Sequence, residues 1–471
     1  MSEPSERPNI LFLFTDDQRF DTVHALGHPQ LHTPNMDSLV ERGVAFTNAH
    51  IMGGTSGAVC MPSRAMLMTG RTLFHLEGAG ESIPQEHVLL GQWLQEDGYR
   101  TWGTGKWHNG PSSYARSFGS GAEIFFGGME DHWNVPACDF DPSGVYETMI
   151  PVCPDPYHSN EVVYKRGDHV TAGKHSSELF CEAAIDALAR YEGNAPFFMY
   201  LSFMAPHDPR TMPREYLEMY DPDEIELPPN WMPEHPFDNG DLRGRDECLA
   251  AIPRTPEETR RHIAEYYAMI THLDAQIGRV LVALQQSGQA DNTLIVLAGD
   301  NGLALGQHGL MGKQNLYDHS VRVPLVISGP GVPQGQRNEA YTYLIDIYPT
   351  LCDLVGLDIP DTVEGLSLVP SLQDPGRSVR DSLYCAYRQF QRSVRDARFK
   401  LIEYRVGGHR TTQLFDLQAD PWERNNLADD RRHAQTVARL RGEMVLWADA
   451  LDDRDTVWGR VFWGESDQAI P

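Results

Sequence analysis

A cysteine opens the segment of this chain whose residue types and spacing point most directly to chemistry. Residues 60–70 read Cys-Met-Pro-Ser-Arg-Ala-Met-Leu-Met-Thr-Gly. Pro62 suits the first turn of a helix, so we expect Cys60 where backbone N–H groups point outward and favour an anion. Arg64, one turn later, adds a positive charge and a planar set of donors. These residues alone leave open a second interpretation, a buried structural thiol at the start of a helix.

Acidic and amide side chains follow two strongly apolar runs. Residues 9–14 and 293–299 predict strands that are buried on both faces of a parallel sheet. The residues that come directly after these runs include Asp16, Asp17, Asp300 and Asn301. Open α/β sheets place their sites at the carboxyl ends of strands, and adjacent carboxylates there need a cation to offset their repulsion. In isolation, the Asp-Asp pair is equally consistent with a cap on the next helix.

Two lysines and two histidines add to these candidates. Lys106 and His108 follow a predicted strand and, being two apart on an extended segment, can point the same way. His207 follows another predicted strand, and Lys313 ends a glycine-punctuated loop. Taken singly these signals are weak, because a Lys-x-His pair or a histidine between prolines is normally part of a solvated loop.

Hydrophobic periodicity predicts the elements that must position these side chains. We predict helices over residues 34–43, 86–97, 175–191 and 255–288, and strands over 9–14, 99–104, 196–203, 293–299 and 323–328. Strands that alternate with helices predict the α/β class, with a large doubly wound mixed or parallel sheet flanked by helices.

The character of the sequence changes near Asp374-Pro375-Gly376. Short alternating segments and one amphipathic helix follow, which predict a smaller α+β domain with an antiparallel sheet. We therefore expect a large α/β domain over residues 1–375 and a small C-terminal domain over 376–471. Within the large domain, residues 109–175 have little periodicity and predict long loops over the strand ends, where specificity is commonly determined.

Composition limits the partners that this chain can have. Its 471 residues carry 39 basic and 66 acidic side chains, a net charge of −27, which disfavours binding to nucleic acid or to an anionic membrane. The seven cysteines are scattered without metal-ligand or redox spacing, so a disulfide framework is not expected. The polar N-terminus lacks a signal-peptide core and no apolar run reaches membrane-spanning length, which predicts a cytoplasmic protein.

The cysteine motif resembles the signature of the type I sulfatases, a family of the alkaline phosphatase superfamily. Cys60-x-Pro-Ser-Arg followed by Thr-Gly matches that signature, with Met68 where the family more often has leucine. Gly105-Lys106-Trp107-His108 and Arg322-Val323-Pro324 match further family segments, so the resemblance covers nearly the whole chain. It implies that a formylglycine-generating enzyme oxidises Cys60 to formylglycine, whose hydrated aldehyde is the nucleophile.

The resemblance also implies a metal site. All-oxygen ligation selects a hard divalent cation, Ca²⁺ or Mg²⁺, over zinc. The family's ligands correspond to Asp16, Asp17, Asp300, Asn301 and the modified Cys60. Asp300 would also accept a proton from the nucleophile.

The remaining catalytic positions of the family are matched as well. The resemblance implies that Lys106, His207 and Lys313 neutralise the sulfate oxygens and that His207 or Lys313 protonates the leaving oxygen. His108 would take the second hydroxyl proton, so that sulfate leaves and the aldehyde is regenerated. Arg64 would orient the formylglycine and the carboxylates around the metal.

The implied activity is hydrolysis of sulfate monoesters, with a sulfated saccharide or other sulfated small molecule as substrate. We expect the substrate to be a carbohydrate sulfate, because such substrates are frequent in the family. The alternatives are that the enzyme is an arylsulfatase or a choline-type alkyl sulfatase. A phosphonate monoester hydrolase or phosphodiesterase can use the same modified cysteine, but those relatives have Asp-His where this chain has Asp300-Asn301, which favours a sulfatase. A non-catalytic binding protein on the same fold is disfavoured, because no catalytic position of the family is missing.

Overall fold

The computed structural model of this chain describes residues 7–155, 157–193 and 195–464. Its strands, in chain order, are β1 (Asn9–Thr15), β2 (Gly43–His50), β3 (Gly53–Gly54), β4 (Arg100–Lys106), β5 (Ser120–Phe125), β6 (Pro136–Ala137), β7 (Met149–Val152), β8 (Val163–Arg166), β9 (His169–Val170), β10 (Phe197–Ser202), β11 (Thr293–Gly299), β12 (Leu325–Ser328), β13 (Gln336–Tyr343), β14 (Leu383–Tyr387), β15 (Gln391–Arg395), β16 (Phe399–Val406) and β17 (His409–Asp416). Its helices are α1 (Pro34–Arg42), α2 (Cys60–Thr69), α3 (Leu90–Glu96), α4 (Pro111–Ser117), α5 (Ser176–Ala189), α6 (Arg214–Leu217), α7 (Pro256–Gln286), α8 (Asp318–Val321), α9 (Ile347–Val355), α10 (Val369–Gln373), α11 (Ala434–Ala450) and α12 (Val457–Trp463). The prediction that no signal peptide is present rests largely on Met1 to Glu6, which lie outside the described residues.

An eight-stranded mixed sheet has the strand order β13-β2-β12-β11-β1-β10-β4-β5. Strands β11, β1, β10, β4 and β5 run parallel, whereas β12 runs antiparallel to both of its neighbours. Phe12 of β1 stands opposite Tyr200 on one side and Val296 on the other. The predicted α/β class, with its large doubly wound mixed sheet, is confirmed.

Helices cover both faces of this sheet because its central strand is apolar on both. Ile10, Phe12 and Phe14 of β1 point into one hydrophobic cluster, which includes residues of α2 and α9. Leu11 and Leu13 point into the opposite cluster, which includes residues of α1, α5 and α7. Burial on both sides explains why such strands read as nearly unbroken apolar runs. No helix in the described ranges combines the length and apolar character that a membrane crossing requires.

A second sheet has the order β17-β16-β15-β14-β3. Strands β14 to β17 are antiparallel to their neighbours, and α11 packs against them through Val437, Leu440 and Met444. Strand β3, just before the cysteine helix, pairs in parallel with Ala386 and Tyr387 of β14. The predicted antiparallel sheet near the C-terminus is confirmed, while the division into two domains at residue 375 stays a prediction.

The prediction of long loops over residues 109–175 is wrong in part. This segment contains α4 and β5, and β5 pairs with β4 at the edge of the large sheet, with Phe125 opposite Lys106. It also contains the small antiparallel pairs β6–β9 and β7–β8. These elements are only two to seven residues long, too short for hydrophobic periodicity to identify them.

Other differences concern element ends and edges. The helix predicted over residues 86–97 begins only at Leu90 in α3. Strands β2 and β13 are not predicted from the sequence at all. β13 (Gln-Arg-Asn-Glu-Ala-Tyr-Thr-Tyr) lies at an edge of the large sheet and is partly exposed in its first half, so it is more polar than the central strands.

Candidate active site

Cys60 is the first residue of α2, as the sequence predicts. Its side chain is buried, and Sγ accepts a hydrogen bond from Nζ of Lys106 at 3.6 Å and lies 3.5 Å from Nδ1 of His108. Burial raises the pKa of the Cys60 thiol, although Lys106 and Lys313 act in the opposite direction. The unmodified thiol is therefore protonated at neutral pH, which makes it a weak nucleophile.

The Thr-Gly pair of the motif ends this helix. Gly70 has a φ of 65°, and its N–H donates to the carbonyl oxygen of Met66 at 2.8 Å. A Cβ at Gly70 would lie 2.8 Å from a methyl carbon of Val363, so both the backbone conformation and the close packing require glycine. The motif thus determines the length of the helix as well as its chemistry.

Arg64 lies one turn into α2, is fully buried, and connects the ends of three strands. Its Nε and Nη2 lie 2.9 and 2.8 Å from Oδ2 of Asp300. Its Nη1 donates to the carbonyl oxygen of Lys106 at 3.0 Å and to Oγ of Ser202 at 2.6 Å. Nη2 also lies 3.6 Å from Oδ2 of Asp16. One guanidinium therefore fixes the ends of β4, β10 and β11 relative to the cysteine helix.

Asp16 and Asp17, which follow β1, each pair with one lysine. Oδ2 of Asp16 accepts a hydrogen bond from Nζ of Lys106, and Oδ1 of Asp17 accepts one from Nζ of Lys313 at 2.6 Å. Burial lowers the pKa of Lys313, but the surrounding anions, Asp17 foremost, outweigh it and hold that pKa well above its ordinary value. Asp17 itself has a φ of 62°, and its N–H donates to Oδ1 of Asp300 at 3.0 Å.

Asp300 and Asn301 follow β11, and both contact Asp17. Nδ2 of Asn301 donates to Oδ1 of Asp17 at 2.6 Å. Two buried oxygens, Oδ1 of Asp16 and Oδ1 of Asn301, accept no hydrogen bond from the described residues. Ligand atoms of Asp16, Cys60 and Asp300 lie within 4.8 Å of one another. Unpaired carboxylate and amide oxygens are the ligands that a hard divalent cation prefers, so these residues fit a metal ion.

His108 follows β4 by two residues. Its φ of 69° shows that the strand does not continue, so the predicted extended geometry of Lys106 and His108 is wrong. The turn nevertheless brings the imidazole to Cys60 and against Gly128, where a Cβ would lie 2.6 Å from Nε2 of His108. Burial, followed by the charge of Lys106, holds the pKa of His108 well below its usual range. His108 is therefore neutral and able to accept a proton.

His207 lies beyond the end of β10. Its Nε2 is 3.5 Å from Oδ2 of Asp17, and its Nδ1 is 2.8 Å from the carbonyl oxygen of Asp208. Its own carbonyl oxygen lies 3.1 Å from Nε2 of His132, which is also buried. Burial, followed by the charge of Lys313, holds the pKa of His207 well below its usual range.

The structure brings every predicted site residue into one cluster, joined by the contacts given above. We call this group the catalytic cluster after its predicted role, and its members are Asp16, Asp17, Cys60, Arg64, Lys106, His108, His207, Asp300, Asn301 and Lys313. Its three carboxylates and its three basic side chains, Arg64, Lys106 and Lys313, are all buried. A divalent cation added to such a balanced set makes the site positive, which suits attack on an anionic ester.

Some residues that contact the cluster are not predicted from the sequence. Tyr266 donates its hydroxyl hydrogen to the carbonyl oxygen of Asp17 at 2.6 Å, yet it lies on α7, whose pattern predicts a core helix. Nη2 of Arg245 lies 3.4 Å from Nε2 of His207. Arg245 itself belongs to a polar stretch of sequence without hydrophobic periodicity. Gly128 falls in the segment predicted as loops. Their positions depend on tertiary packing, which local patterns do not encode.

Comparison with known proteins places this chain in a family. The family profile described as Sulfatase matches residues 8–357, and that described as N-sulphoglucosamine sulphohydrolase, C-terminal, matches residues 306–449. An N-acetylglucosamine-6-O-sulfatase of Bacteroides thetaiotaomicron is 25% identical over 512 aligned positions, covering 93% of this chain and 86% of the relative.

Two solved structures share the fold. A protein in complex with its substrate D-glucosamine-2-N,6-O-disulfate superposes with a TM-score of 0.76 at 23% identity, covering 95% of this chain and 99% of that one. A phosphonate monoester hydrolase of Agrobacterium radiobacter superposes with a TM-score of 0.75 at 24% identity, covering 94% and 96%. At such identities the structures establish the fold alone, but the Sulfatase profile spans most of the chain. The chain therefore belongs to the sulfatase family, whose members hydrolyse sulfate esters.

Proposed function

We propose that this chain cleaves sulfate monoesters of a carbohydrate, with Cys60 converted to formylglycine. The observation that carries the proposal is the position of Sγ, buried at the start of α2 and facing Lys106 and His108. A thiol held protonated by burial is poorly suited to attack, so the residue needs chemical change before it can act. Formylglycine supplies a hydrated aldehyde whose second hydroxyl lets the enzyme be regenerated, as neither a thiol nor a serine hydroxyl can.

A divalent cation completes the site in this proposal. Asp16, Asp17, Asp300 and Asn301 would hold it together with residue 60, and the unpaired oxygens of Asp16 and Asn301 support that assignment. The oxygen-rich ligand set favours Ca²⁺ or Mg²⁺. When bound, the cation would supply positive charge to the sulfate oxygens and to the nucleophile.

The other members of the cluster act on protons and charge. Lys106 and Lys313, which are both buried, neutralise the sulfate oxygens, and His207 lies beside them. Nζ of Lys313 protonates the leaving oxygen, or the imidazole of His207 does so once it has itself gained a proton. Neutral His108, whose Nδ1 faces residue 60, takes a proton from the hydroxyl there. Arg64 holds Asp300 in the orientation in which it accepts the first proton.

The carbohydrate assignment rests on relatives rather than on a residue of this chain. Both the N-acetylglucosamine-6-O-sulfatase and the complex with D-glucosamine-2-N,6-O-disulfate concern sulfated sugars. Arylsulfatase and choline-type alkyl sulfatase activity are the alternatives within the same chemistry. Phosphonate monoester or phosphodiester hydrolysis is the alternative outside it, since one structural neighbour has the former activity.

The modification is tested by mass spectrometry of the peptide that contains residue 60, after expression with a formylglycine-generating enzyme. We expect the mass of an aldehyde, with sulfur replaced by oxygen and two hydrogens lost, and activity in proportion to the converted fraction. Cys60→Ala should be inactive, whereas Cys181→Ala, which removes another buried thiol, should retain activity. Full activity with an unmodified thiol at residue 60 would contradict the proposal.

The reaction type is tested by charge. Once Asp300 has passed the nucleophile's proton on to solvent, the cluster with a bound divalent cation and an ionised nucleophile carries a charge of about +1. A sulfate monoanion offsets that charge, whereas a phosphate monoester dianion would leave excess negative charge. We expect an aryl sulfate to react at least about 10²-fold faster in kcat/KM than the matched aryl phosphate monoester. Equal rates, or preference for a phosphonate or phosphodiester, would assign the other reaction.

A further inference from the structure

An exposed arginine lies at the rim of the catalytic cluster. Arg245 begins a short 3-10 turn, Arg245–Leu249, and its side chain is 57% exposed. Its Nη2 nevertheless approaches Nε2 of His207 to 3.4 Å, and its Nε donates to Oδ1 of Asp246 at 3.1 Å. Among the described residues Nη1 has no hydrogen-bond partner. The guanidinium therefore has donors free to bind a ligand beside the cluster.

This arginine stands on a rigid support. The two residues that follow it, Asp246 and Glu247, are both buried, at 4% exposure. Oδ2 of Asp246 accepts a hydrogen bond from Nε2 of Gln314 at 2.7 Å, next to catalytic Lys313. A residue on such a support has its backbone fixed before a ligand binds, so less free energy is lost in ordering that backbone.

Glu247 also connects the turn that carries Arg245 to the loop that carries Lys313. Its carboxylate accepts hydrogen bonds from the N–H groups of Met311 and Gly312 at 2.9 and 3.0 Å and from Nη2 of Arg254 at 2.5 Å. The turn that carries Arg245 is thus fixed to the loop that carries Lys313. Any group bound by Lys313 has a defined position relative to Arg245.

The charges around Arg245 permit an anion to bind there. Three carboxylates act on Arg245, those of Asp246, Asp208 and Asp17, and each is also close to another cation, which for Asp17 is Lys313. Arg210 acts on Asp208, and Lys313 acts on Asp246. In a chain with a net charge of −27, an exposed arginine that is held beside a site for anions is suited to recognise negative charge.

We propose that Arg245 binds a second anionic group of the substrate, a carboxylate or a second sulfate on the same or the adjoining sugar. The inference rests on the proposed function, because the first sulfate must occupy the catalytic cluster. In the proposed function His207 lies next to that sulfate, and Nη2 of Arg245 lies 3.4 Å from Nε2 of His207. A second anionic group close to the scissile ester can therefore contact the guanidinium of Arg245. Arg245 is then a specificity residue that selects polyanionic saccharides over singly charged ones.

The experiment compares three substrates with the metal-loaded, modified enzyme. N-acetylglucosamine 6-sulfate carries one anionic group, glucosamine 2-N,6-O-disulfate carries a second sulfate, and a sulfated uronic-acid glycoside carries a carboxylate. For Arg245→Gln we expect kcat/KM on at least one doubly charged substrate to fall at least about 10-fold more than kcat/KM on the singly charged one. This additional loss should appear as a higher KM and not as a lower kcat. Arg245→Lys should recover part of that difference, because it retains the charge but not the planar donors.

A matched control removes an exposed arginine elsewhere. Arg190 on the surface pairs with Asp186, and Arg190→Gln should leave the ratio between substrates unchanged. A fall confined to one doubly charged substrate assigns its anionic group as the ligand. An equal loss on all three substrates, or a wild type that cleaves only the singly charged one, overturns the role assigned to Arg245 and leaves the proposed function standing. Release of sulfate from no substrate, aryl sulfate included, overturns the proposed function and the subsite with it.

Discussion

At the scale of single residues, Arg64 shows why side-chain geometry matters as much as charge in this cluster. Its guanidinium reaches Asp300, the carbonyl oxygen of Lys106 and the hydroxyl of Ser202 at once. A lysine carries the same charge but cannot spread donors in a plane over three partners. The Arg392–Asp453 pair offers a comparison, because it is equally buried, has Arg Nε and Nη2 at 2.7 and 2.8 Å from the carboxylate, and lies outside the cluster.

We expect Arg64→Lys to lower kcat by about 10- to 100-fold, since misplacement of Asp300 and Lys106 weakens transition-state stabilisation. Arg392→Lys should lower the melting temperature without a comparable loss of kcat at 25 °C. Steady-state kinetics and thermal melting on both variants check this. Similar losses of kcat in both would mean that Arg64 acts only on stability.

Metal binding gives a second prediction at this scale. After chelation, added Ca²⁺ or Mg²⁺ should raise the melting temperature of the wild type progressively with concentration, because the ion binds the folded state. Asp17→Asn should weaken both this rise and the recovery of activity. The measurements are melting curves, activity and elemental analysis, with about one Ca²⁺ or Mg²⁺ per chain expected.

The control for metal binding is Asp274→Asn. Asp274 is as deeply buried as Asp17, but its carboxylate accepts hydrogen bonds from the N–H groups of Asn35 and Met36. This variant should melt lower and keep its response to the ion. Stoichiometric zinc, manganese or iron in the wild type would instead favour phosphonate hydrolysis.

At the scale of elements, the parallel strands explain how far the sequence predicts the site. Strands β1, β10 and β11 are buried on every residue, so they read as apolar runs, and the polar residues after them stand out. Their carboxyl ends meet at one edge, which is why residues far apart in sequence could be assigned to one cluster. The edge strand β13 gives no such signal. Nor does Arg245, whose position depends on buried contacts of Asp246 and Glu247.

The packing of α5 against α7 depends on buried histidines. His175 precedes α5 and His272 lies on α7, with ring centroids 4.6 Å apart. Burial lowers the pKa of each to about 3. In the unfolded chain these histidines bind protons below about pH 6.5, whereas in the folded chain they do not until about pH 3. The unfolded state therefore gains protons first, and stability falls as the pH falls through that window.

We expect His272→Gln to reduce the loss of stability between pH 7.5 and pH 5, because one titrating group is removed. Urea unfolding midpoints at both pH values for wild type and variant provide the measurement. His158→Gln is the control, because the His158 side chain is 83% exposed and should contribute little to the dependence. An unchanged pH dependence in His272→Gln would show that the acid sensitivity arises elsewhere.

At the scale of the whole molecule, the C-terminal sheet and the catalytic cluster share structure. Strand β3, just before the cysteine helix, pairs with β14. A buried ion network adds a second connection, in which Asp318 of α8 accepts hydrogen bonds from Arg395 at 2.7 Å and Lys400 at 2.8 Å. Lys400 also pairs with Glu423 at 2.8 Å. Removing one partner from such a network leaves uncompensated charge in the interior.

We expect Asp318→Asn to destabilise the protein by about 3–5 kcal/mol, because Arg395 and Lys400 lose their common counter-charge.

Because of the shared structure, both parts of the chain should unfold in one transition. Two buried thiols report on this, Cys385 in β14 and Cys181 in α5. Labelling of each with a thiol reagent, followed by mass spectrometry across a urea series, should give the same midpoint for both, in wild type and variant.

The control for this last experiment is Arg432→Gln. Arg432 pairs with Asp430 at the surface with its side chain 84% exposed, and such a solvent-screened pair contributes little to stability. Its midpoints should therefore stay close to those of the wild type. If Cys385 instead becomes reactive at clearly lower urea than Cys181, residues 376–471 unfold as a separate domain. The catalytic cluster would then keep its structure without the C-terminal sheet, and the pairing of β3 with β14 would not be needed to hold Cys60 in place.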